Sequence, residues 1–221
     1  RQEHKDDDDV LIALGEIESE LNAKKYGLIW EQHEEAVDVM MRTHIPVFTE
    51  DAGKEITTSA GGVYNFLLEG DNLHSLRLLE KTHRGRIDVI YIDPPYNTGN
   101  KDFRYDDAFV DSNDGFKHSK WLSFLAARLE IAFRLLSETG CILISINDIE
   151  YAQLKLLCDD IMGEQHYIGT FIWKSRQNKD NRNITGISVD HEYILAYAKH
   201  EGIRNFKGGE RQTERYSNPD N

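Results

Sequence analysis

Val10, Leu14, Ile17 and Leu21 recur at intervals of four, three and four residues, the spacing that holds apolar side chains on one helical face. A second helix is predicted from Trp30 to Arg42, stopping before Pro46. The pair is acidic outside and apolar on one face, which suits a helical cap or a partner-docking arm. From Val63 the period changes. "VYNFLLEGDN" is a short apolar run closed by Gly70 and Asp71, Leu73 to Leu79 read as a helix, and "IDVIYIDPPY" reads as a second buried strand. The polar stretch "YNTGNKDFRYDDAFVDSNDG" follows as a long loop, and loops of that length are usually functional or disordered. A long helix then aligns Trp121, Leu125, Leu129, Ala132 and Leu136, with Gly140 as its stop. "CILISI" is a third strand. Asn147 with Glu150 predicts a capping box for a helix ending near Gly163. "YIGTFIW" and "EYILAYA" add two strands around a polar, basic loop.

Strand–helix–strand alternation with continuous apolar strands predicts an α/β fold built on a mostly parallel, doubly covered sheet. Residues 1–60 are expected to form an acidic helical extension, 61–200 the main subdomain, and 201–221 a polar tail or the start of a further region.

Composition narrows the function. A net charge of −13 over 221 residues argues against an indiscriminate nucleic-acid coat but leaves room for a local basic face. No apolar run approaches the ~20 residues needed to cross a bilayer, and no signal-peptide pattern opens the chain. Cys141 and Cys158 are too few for a disulfide framework and are expected to be core thiols of a cytosolic protein. "KDDDD" reads as a solvated end rather than a metal site. Both ends of the chain read as cuts in a longer protein.

The chemistry concentrates at "IDPPY". Ligands of open α/β sheets sit beyond the carboxyl ends of the strands, and Asp71, Asp93, Asn147 and Asp148 all fall at such ends. Proline fixes φ, lacks an N–H and pushes the preceding residue into extended geometry. Asp93-Pro94-Pro95 is therefore a stiff corner with outward carbonyls and no competing donors. The Asp93 carboxylate and the Pro94 carbonyl can accept both hydrogens of one NH₂ group, and Tyr96 can lie against the ring that carries it. An adenine amine is a poor nucleophile because its lone pair is delocalised. Holding both N–H bonds out of plane frees that pair for attack on a sulfonium methyl, with positioning and electrostatics supplying most of the help. Asp93 need only take or relay the proton from the methylated aminium, and no metal is required. A plain strand-ending turn is the less favoured reading of the bare tetrapeptide, and its context of strand before and polar loop after favours the site further.

With those residues in view the chain resembles the N-terminal part of a beta-class adenine-N6 DNA methyltransferase, above all the modification (Mod) subunit of type III restriction–modification systems. The likeness runs from about Lys24 to His200 and rests on "KKYGLIWEQHEE", "NFLLEGDNLHSLRLL", "IYIDPPYNTGN", "WLSFLAARLEIAFRLL", "GCILISINDIE", "FIWKSR" and "DHEYILAYAK". The resemblance implies a partial doubly wound, Rossmann-like methyltransferase sheet. It makes Asp93, Pro94, Pro95 and Tyr96 the catalytic tetrad. It places "EGD", with Gly70 and Asp71, near the adenosine part of S-adenosylmethionine, beside Asp93; for Asp71 an ordinary helix cap serves equally. Trp173 matches the aromatic that packs on an extruded base, and a core tryptophan would explain it nearly as well. Lys174, Arg176, Lys179 and Arg182 beside it, with Lys101 and Arg104 after the tetrad, suit phosphate contacts around a flipped nucleotide; singly, each reads as a solvated loop charge. The resemblance further implies a DNA substrate, a restriction (Res) subunit as partner, a homodimer, and a prokaryotic cytoplasmic location.

One departure stands out. The family's glycine-rich "FxGxG"-like donor motif has no counterpart here: "AGGVY" lies too early, and Gly208-Gly209 follows no strand. The 61–200 segment is thus expected to be an incomplete catalytic subdomain, silent in methyl transfer by itself. Two other readings stay open: an amino methyltransferase acting on RNA, protein or cytosine N4, and a non-catalytic module that docks a restriction subunit.

Overall fold

Four of the five apolar runs pair into one sheet in the computed structural model, which describes residues 10, 12–15, 28–55, 65–106, 108–175 and 189–200. From Ala36 onward the α-helices and strands are α1 (Ala36–Met41), α2 (Asn72–His83), β1 (Ile87–Ile92), β2 (Arg104–Tyr105), β3 (Ala108–Phe109), α3 (Lys117–Leu135), β4 (Leu136–Ile146), α4 (Tyr151–Met162), β5 (Tyr167–Lys174) and β6 (His191–Ala198). The sheet order is β1-β4-β6-β5. β1 and β4 are parallel, and β6 runs antiparallel to both of its neighbours. Three strands therefore point one way and β6 alone is reversed. The helical crossovers α3 and α4 return the chain for strands of the same sense, as parallel neighbours require. β6 follows β5 with no helix described between them. The expected α/β class is what the protein has, with a mixed sheet.

The helical stripe and the strand alternation meet in one core. Trp121, Leu125 and Leu129 of α3 pack with Ile142, Ile144 and Ile146 of β4, Leu195 and Tyr197 of β6, and Leu154 and Leu157 of α4. Each fully buried side chain of this kind stabilises the fold by about 1.5–3 kcal/mol relative to exposure. Ile90 and Ile92 of β1 join this core, whereas Val89 and Tyr91, which alternate with them, are exposed on the opposite face. α2 runs beside α3, with Leu73 buried against Ile131 and Leu135. Cys158 is buried, Cys141 half-buried, and both are free thiols.

Four local expectations give way to tertiary contacts. The helix predicted over Trp30–Arg42 shortens to α1, because residues before it are held in non-helical form. The Trp30 indole donates to Ser123 Oγ at 3.2 Å and the His33 amide to the same oxygen at 3.0 Å. The described part of "VYNFLLEGDN", from Asn65, forms no strand, and Phe66 and Leu67 are exposed. Gly140 does not stop α3. The helix ends at Leu135 and Gly140 lies inside β4, where a Cβ would sit 2.7 Å from the Ile87 carbonyl oxygen. The long loop after the tetrad holds the β2–β3 hairpin, and Phe103, Tyr105 and Val110 bury into the main core. Strands of two residues leave no periodic signal. Of the first predicted helix, Val10 and residues 12–15 are helical, while Ile17 and Leu21 lie outside the described residues.

Candidate active site

Register decides which side chains share an edge. Ile92 pairs with Ile144 in the parallel β1–β4 ladder, so Asp93 leaves the sheet at the end where Asn147 and Asp148 leave it. β6 is antiparallel and enters there, with Tyr193 opposite Ile146. β5 departs there, with Trp173 opposite Glu192 and Lys174 opposite His191. One carboxyl edge thus gathers Asp93, Tyr96, Asn147, Asp148, Trp173, Lys174, His191 and Glu192, the place where open α/β sheets take ligands.

The Asp93–Tyr96 corner departs at Pro95 from the expectation of outward carbonyls without competing donors. Asp93 is exposed, Pro94 buried, and Pro95 and Tyr96 half-buried. The Pro95 carbonyl is occupied: the Trp121 indole N–H donates to it at 2.7 Å. The Pro94 carbonyl accepts no hydrogen bond among the described residues. The Asp93 carboxylate and the Pro94 carbonyl, adjacent in the chain and braced by two proline rings, are both acceptors, and the Pro94 oxygen has no described donor.

Tyr96 is more constrained than its sequence context shows. Its ring packs against the core cluster and its hydroxyl donates to Glu192 Oε2 at 3.2 Å. Burial first, then hydrogen bonding to the Asp93 carboxylate and the nearby Glu192, pushes the phenol well above its ordinary pKa. Tyr96 is thus neutral, and its hydroxyl donates to Glu192. Glu192 was not singled out from the sequence; the available signal was an acid opening the apolar run "EYILAYA".

The capping box predicted from Asn147 and Glu150 does not form. Asn147 Oδ1 accepts from the Ile149 amide at 2.9 Å, closing a turn, and the Glu150 side chain makes no cap bond. Glu150 instead turns inward to Asn97 and His118. Asp148 accepts from the Tyr193 hydroxyl at 2.7 Å.

Other expected residues lie further out. Asp71 is the N-cap of α2, its Oδ1 accepting from the Leu73 amide at 2.8 Å, so the helix-cap reading holds. Gly70 precedes it at φ 140°, a conformation that favours glycine. Arg128 of α3 reaches Asp71 at 3.9 Å and lies seven residues beyond Trp121, about 10 Å along the helix. Gly70 and Asp71 therefore flank the same helix as the tetrad without a described contact to it. Lys101 is exposed with φ 61°, and Arg104 stacks over Phe109 at 4.4 Å. Trp173 is 60% exposed, which rules out the core reading. Lys174 is exposed beside it; Arg176, Lys179 and Arg182 lie outside the described residues.

Residues 87–220 match the model of the N6_N4_Mtase family, described as DNA methylase. The chain is 34% identical over 207 residues to the type III restriction-modification enzyme EcoP15I Mod subunit of Escherichia coli, covering 83% of this chain and 32% of that protein. It is 46% identical over 132 residues to the type II methyltransferase M.KpnI of Klebsiella pneumoniae, covering 59% and 31%. Among solved structures it is similar to the PvuII DNA methyltransferase (cytosine-N4-specific), at 13% identity and a TM-score of 0.43, over 57% of this chain and 47% of that one. The chain spans about a third of the length of the curated relatives it matches. The family match begins at Ile87, the first residue of the strand that presents Asp93, and takes in every residue gathered at the carboxyl edge: the chain belongs to the N6_N4_Mtase family of DNA methylases.

Proposed function

We propose that the chain forms the amine-gripping part of a DNA adenine-N6 methyltransferase of a type III restriction–modification system. The observation that carries this is the pairing of an exposed Asp93 carboxylate with a Pro94 carbonyl that has no described donor. Both oxygens accept from the exocyclic amine of a flipped adenine, and the two bonds draw its lone pair out of conjugation with the ring. Asp93 then takes the proton that the amine loses. Tyr96 is held by Glu192 so that its ring forms a wall of the base site. The exposed Trp173 offers a second aromatic surface at the same edge, with Lys174 placed for a phosphate. Flipping costs a few kcal/mol, which such stacking offsets.

S-adenosylmethionine supplies an activated methyl group when bound. The residues present suit it: Asp71 keeps one carboxylate oxygen outside the cap bond, and a Cβ at Gly70 would meet nothing within 4 Å, so the backbone there is open to approach. Gly70, Asp71 and Asp93 are the residues assigned to hold it. The likeness to Mod subunits supports a Res subunit as partner, a homodimer and a cytoplasmic location. No described helix is long and apolar enough to cross a membrane.

The test is methyl transfer by the full-length protein to duplex DNA, read as modified nucleosides after digestion. N6-methyladenine is expected, with Asp93→Ala lowering kcat by about 10²–10³-fold. Methyl groups on cytosine N4, or the same rate from Asp93→Ala, would overturn the reading.

A further inference from the structure

Asn97, the residue that follows the tetrad, is 1% exposed and sits at φ 57°, in the left-handed region where non-glycine residues are uncommon. Both hydrogens of its side-chain amide are used, one on Glu150 Oε1 at 2.5 Å and one on the Lys117 carbonyl at 3.2 Å. Glu150 is 0% exposed. Its Oε1 also meets His118 Nδ1 at 2.7 Å, while its Oε2 is buried without a hydrogen-bond partner among the described residues. A buried carboxylate with one unsatisfied oxygen costs stability, and an apolar residue would fill the same space at lower cost. Burial raises the Glu150 carboxyl pKa, with Asn97 and His118 opposing that rise. The three side chains come from separate places: the turn after β1, the first turn of α3 and the residue before α4. They converge only beneath the corner.

We propose that Asn97, Glu150 and His118 form a clamp that positions the Asp93–Tyr96 corner for methyl transfer. This rests on the reading of that corner as an amine grip. The corner is then held from two sides. Trp121 takes the Pro95 carbonyl, and Glu150 fixes the backbone turn one residue after Tyr96. Asp93 and the Pro94 carbonyl are thereby held at set positions. All three clamp members are positioning residues, because none lies among the acceptors that meet the amine. A displacement of about 1 Å at a reacting centre lowers rates by about 10²-fold, and a side-chain clamp beside a left-handed turn controls displacements of that size.

The test uses the full-length protein. Asn97→Gly keeps the left-handed turn accessible while removing both side-chain bonds. It is expected to lower kcat by about 10²-fold, with KM for DNA and methyl-donor affinity by calorimetry close to wild type. Glu150→Ala is expected to do the same, and the Asn97→Gly/Glu150→Ala double variant no more than either alone. Glu150→Gln keeps an acceptor for Asn97 and is expected to recover most of the rate. His118→Ala, at a partly exposed position, is expected to give an intermediate loss. A kcat for Asn97→Gly within about twofold of wild type would overturn the clamp, as would additive losses in the double variant. Unfolding of both single variants would also overturn it, by making the cluster structural. If the wild type is active and Asp93→Ala silent while Asn97→Gly is unaffected, the clamp alone fails. If the wild type and Asp93→Ala are equally silent, the functional reading fails and the clamp with it.

Discussion

Arg128 and Glu35 form a two-pronged ion pair between residues 93 positions apart, Nη1 to Oε1 at 2.6 Å and Nη2 to Oε2 at 3.1 Å. Both are buried. Arg128 Nε donates to Asn72 Oδ1 at 2.6 Å, and the guanidinium lies 3.6 Å from the centre of the Phe124 ring. One side chain thus ties the segment before α1 to α3 and to the start of α2. Removing a single partner leaves the other charge buried and alone, which costs about 3–5 kcal/mol. Glu35→Ala and Arg128→Ala are each expected to lose that much in urea unfolding. The double replacement Glu35→Leu/Arg128→Met should lose much less than the two together, because no lone charge remains. Additive losses would show that the pair does not act as a unit.

Two tryptophans separate stability from recognition. Trp121 is fully buried and its indole holds the Pro95 carbonyl. Trp121→Ala is expected to cost about 3–5 kcal/mol. Trp173 is mostly exposed at the sheet edge, and Trp173→Ala should leave stability within about 0.5 kcal/mol. It should nevertheless weaken DNA binding, checked by fluorescence anisotropy. Neutralising Lys174 should reduce the slope of log K against log salt by about one. An unchanged slope would remove Lys174 from the interface.

Gly99 passes close under the far side of the loop that follows the tetrad. Its φ is 80°, and a Cβ there would lie 2.6 Å from Ser112 Cβ and 2.9 Å from Ser112 backbone atoms. Gly99→Ala is therefore both strained and crowded, and is expected to cost about 1–3 kcal/mol. The loss should be local. Amide exchange should speed up between Thr98, whose amide and hydroxyl bind Asp102, and Val110, whose amide binds the Phe103 carbonyl. Unchanged exchange across that stretch would show that the loop adapts.

Glu80 gives an acid-side limit to stability. Hydrogen bonding to Arg134, with Nε to Oε1 at 2.6 Å, holds its carboxyl below the ordinary value of 4.5, supported by the charges of Arg134, Arg84 and Arg77. A depressed folded pKa contributes stability that is fully present above 4.5 and is lost as pH falls through the folded value. Tm should therefore fall as pH drops from about 5 to 3, and Glu80→Gln should reduce that slope. Glu150 has the opposite sign: burial raises its pKa, so its contribution weakens as pH rises from below 4.5 through the folded value. Glu150→Gln should flatten the rise-dependent loss; a pH profile identical to wild type for both variants would exclude these carboxyls as the groups responsible.

Much of the frame was legible in the chain itself. β1, β4, β5 and β6 coincide with apolar runs, α3 with the stripe from Trp121 to Ala132, and the Asp93–Tyr96 corner with two prolines that stiffen it wherever it is placed. These follow from forces between near neighbours: side-chain periodicity, proline stereochemistry and helix capping at Asp71. Asp93 is exposed because the strand delivers it past the last sheet pairing.

The partners of that corner were decided elsewhere. Glu192 reaches Tyr96 across 96 positions, and Glu150 reaches Asn97 across 53. Asn147 and Glu150 carry the local spacing of a capping box, yet burial beside Asn97 and His118 recruits Glu150 away from it. The sequence by itself determined which segments become strands and helices and where the acidic corner falls, because those depend on residues a few positions apart. Only the tertiary structure decided which acids serve that corner. Strand register and helix packing, which sum contacts over the whole sheet, bring together polar groups whose spacing along the chain carries no signal.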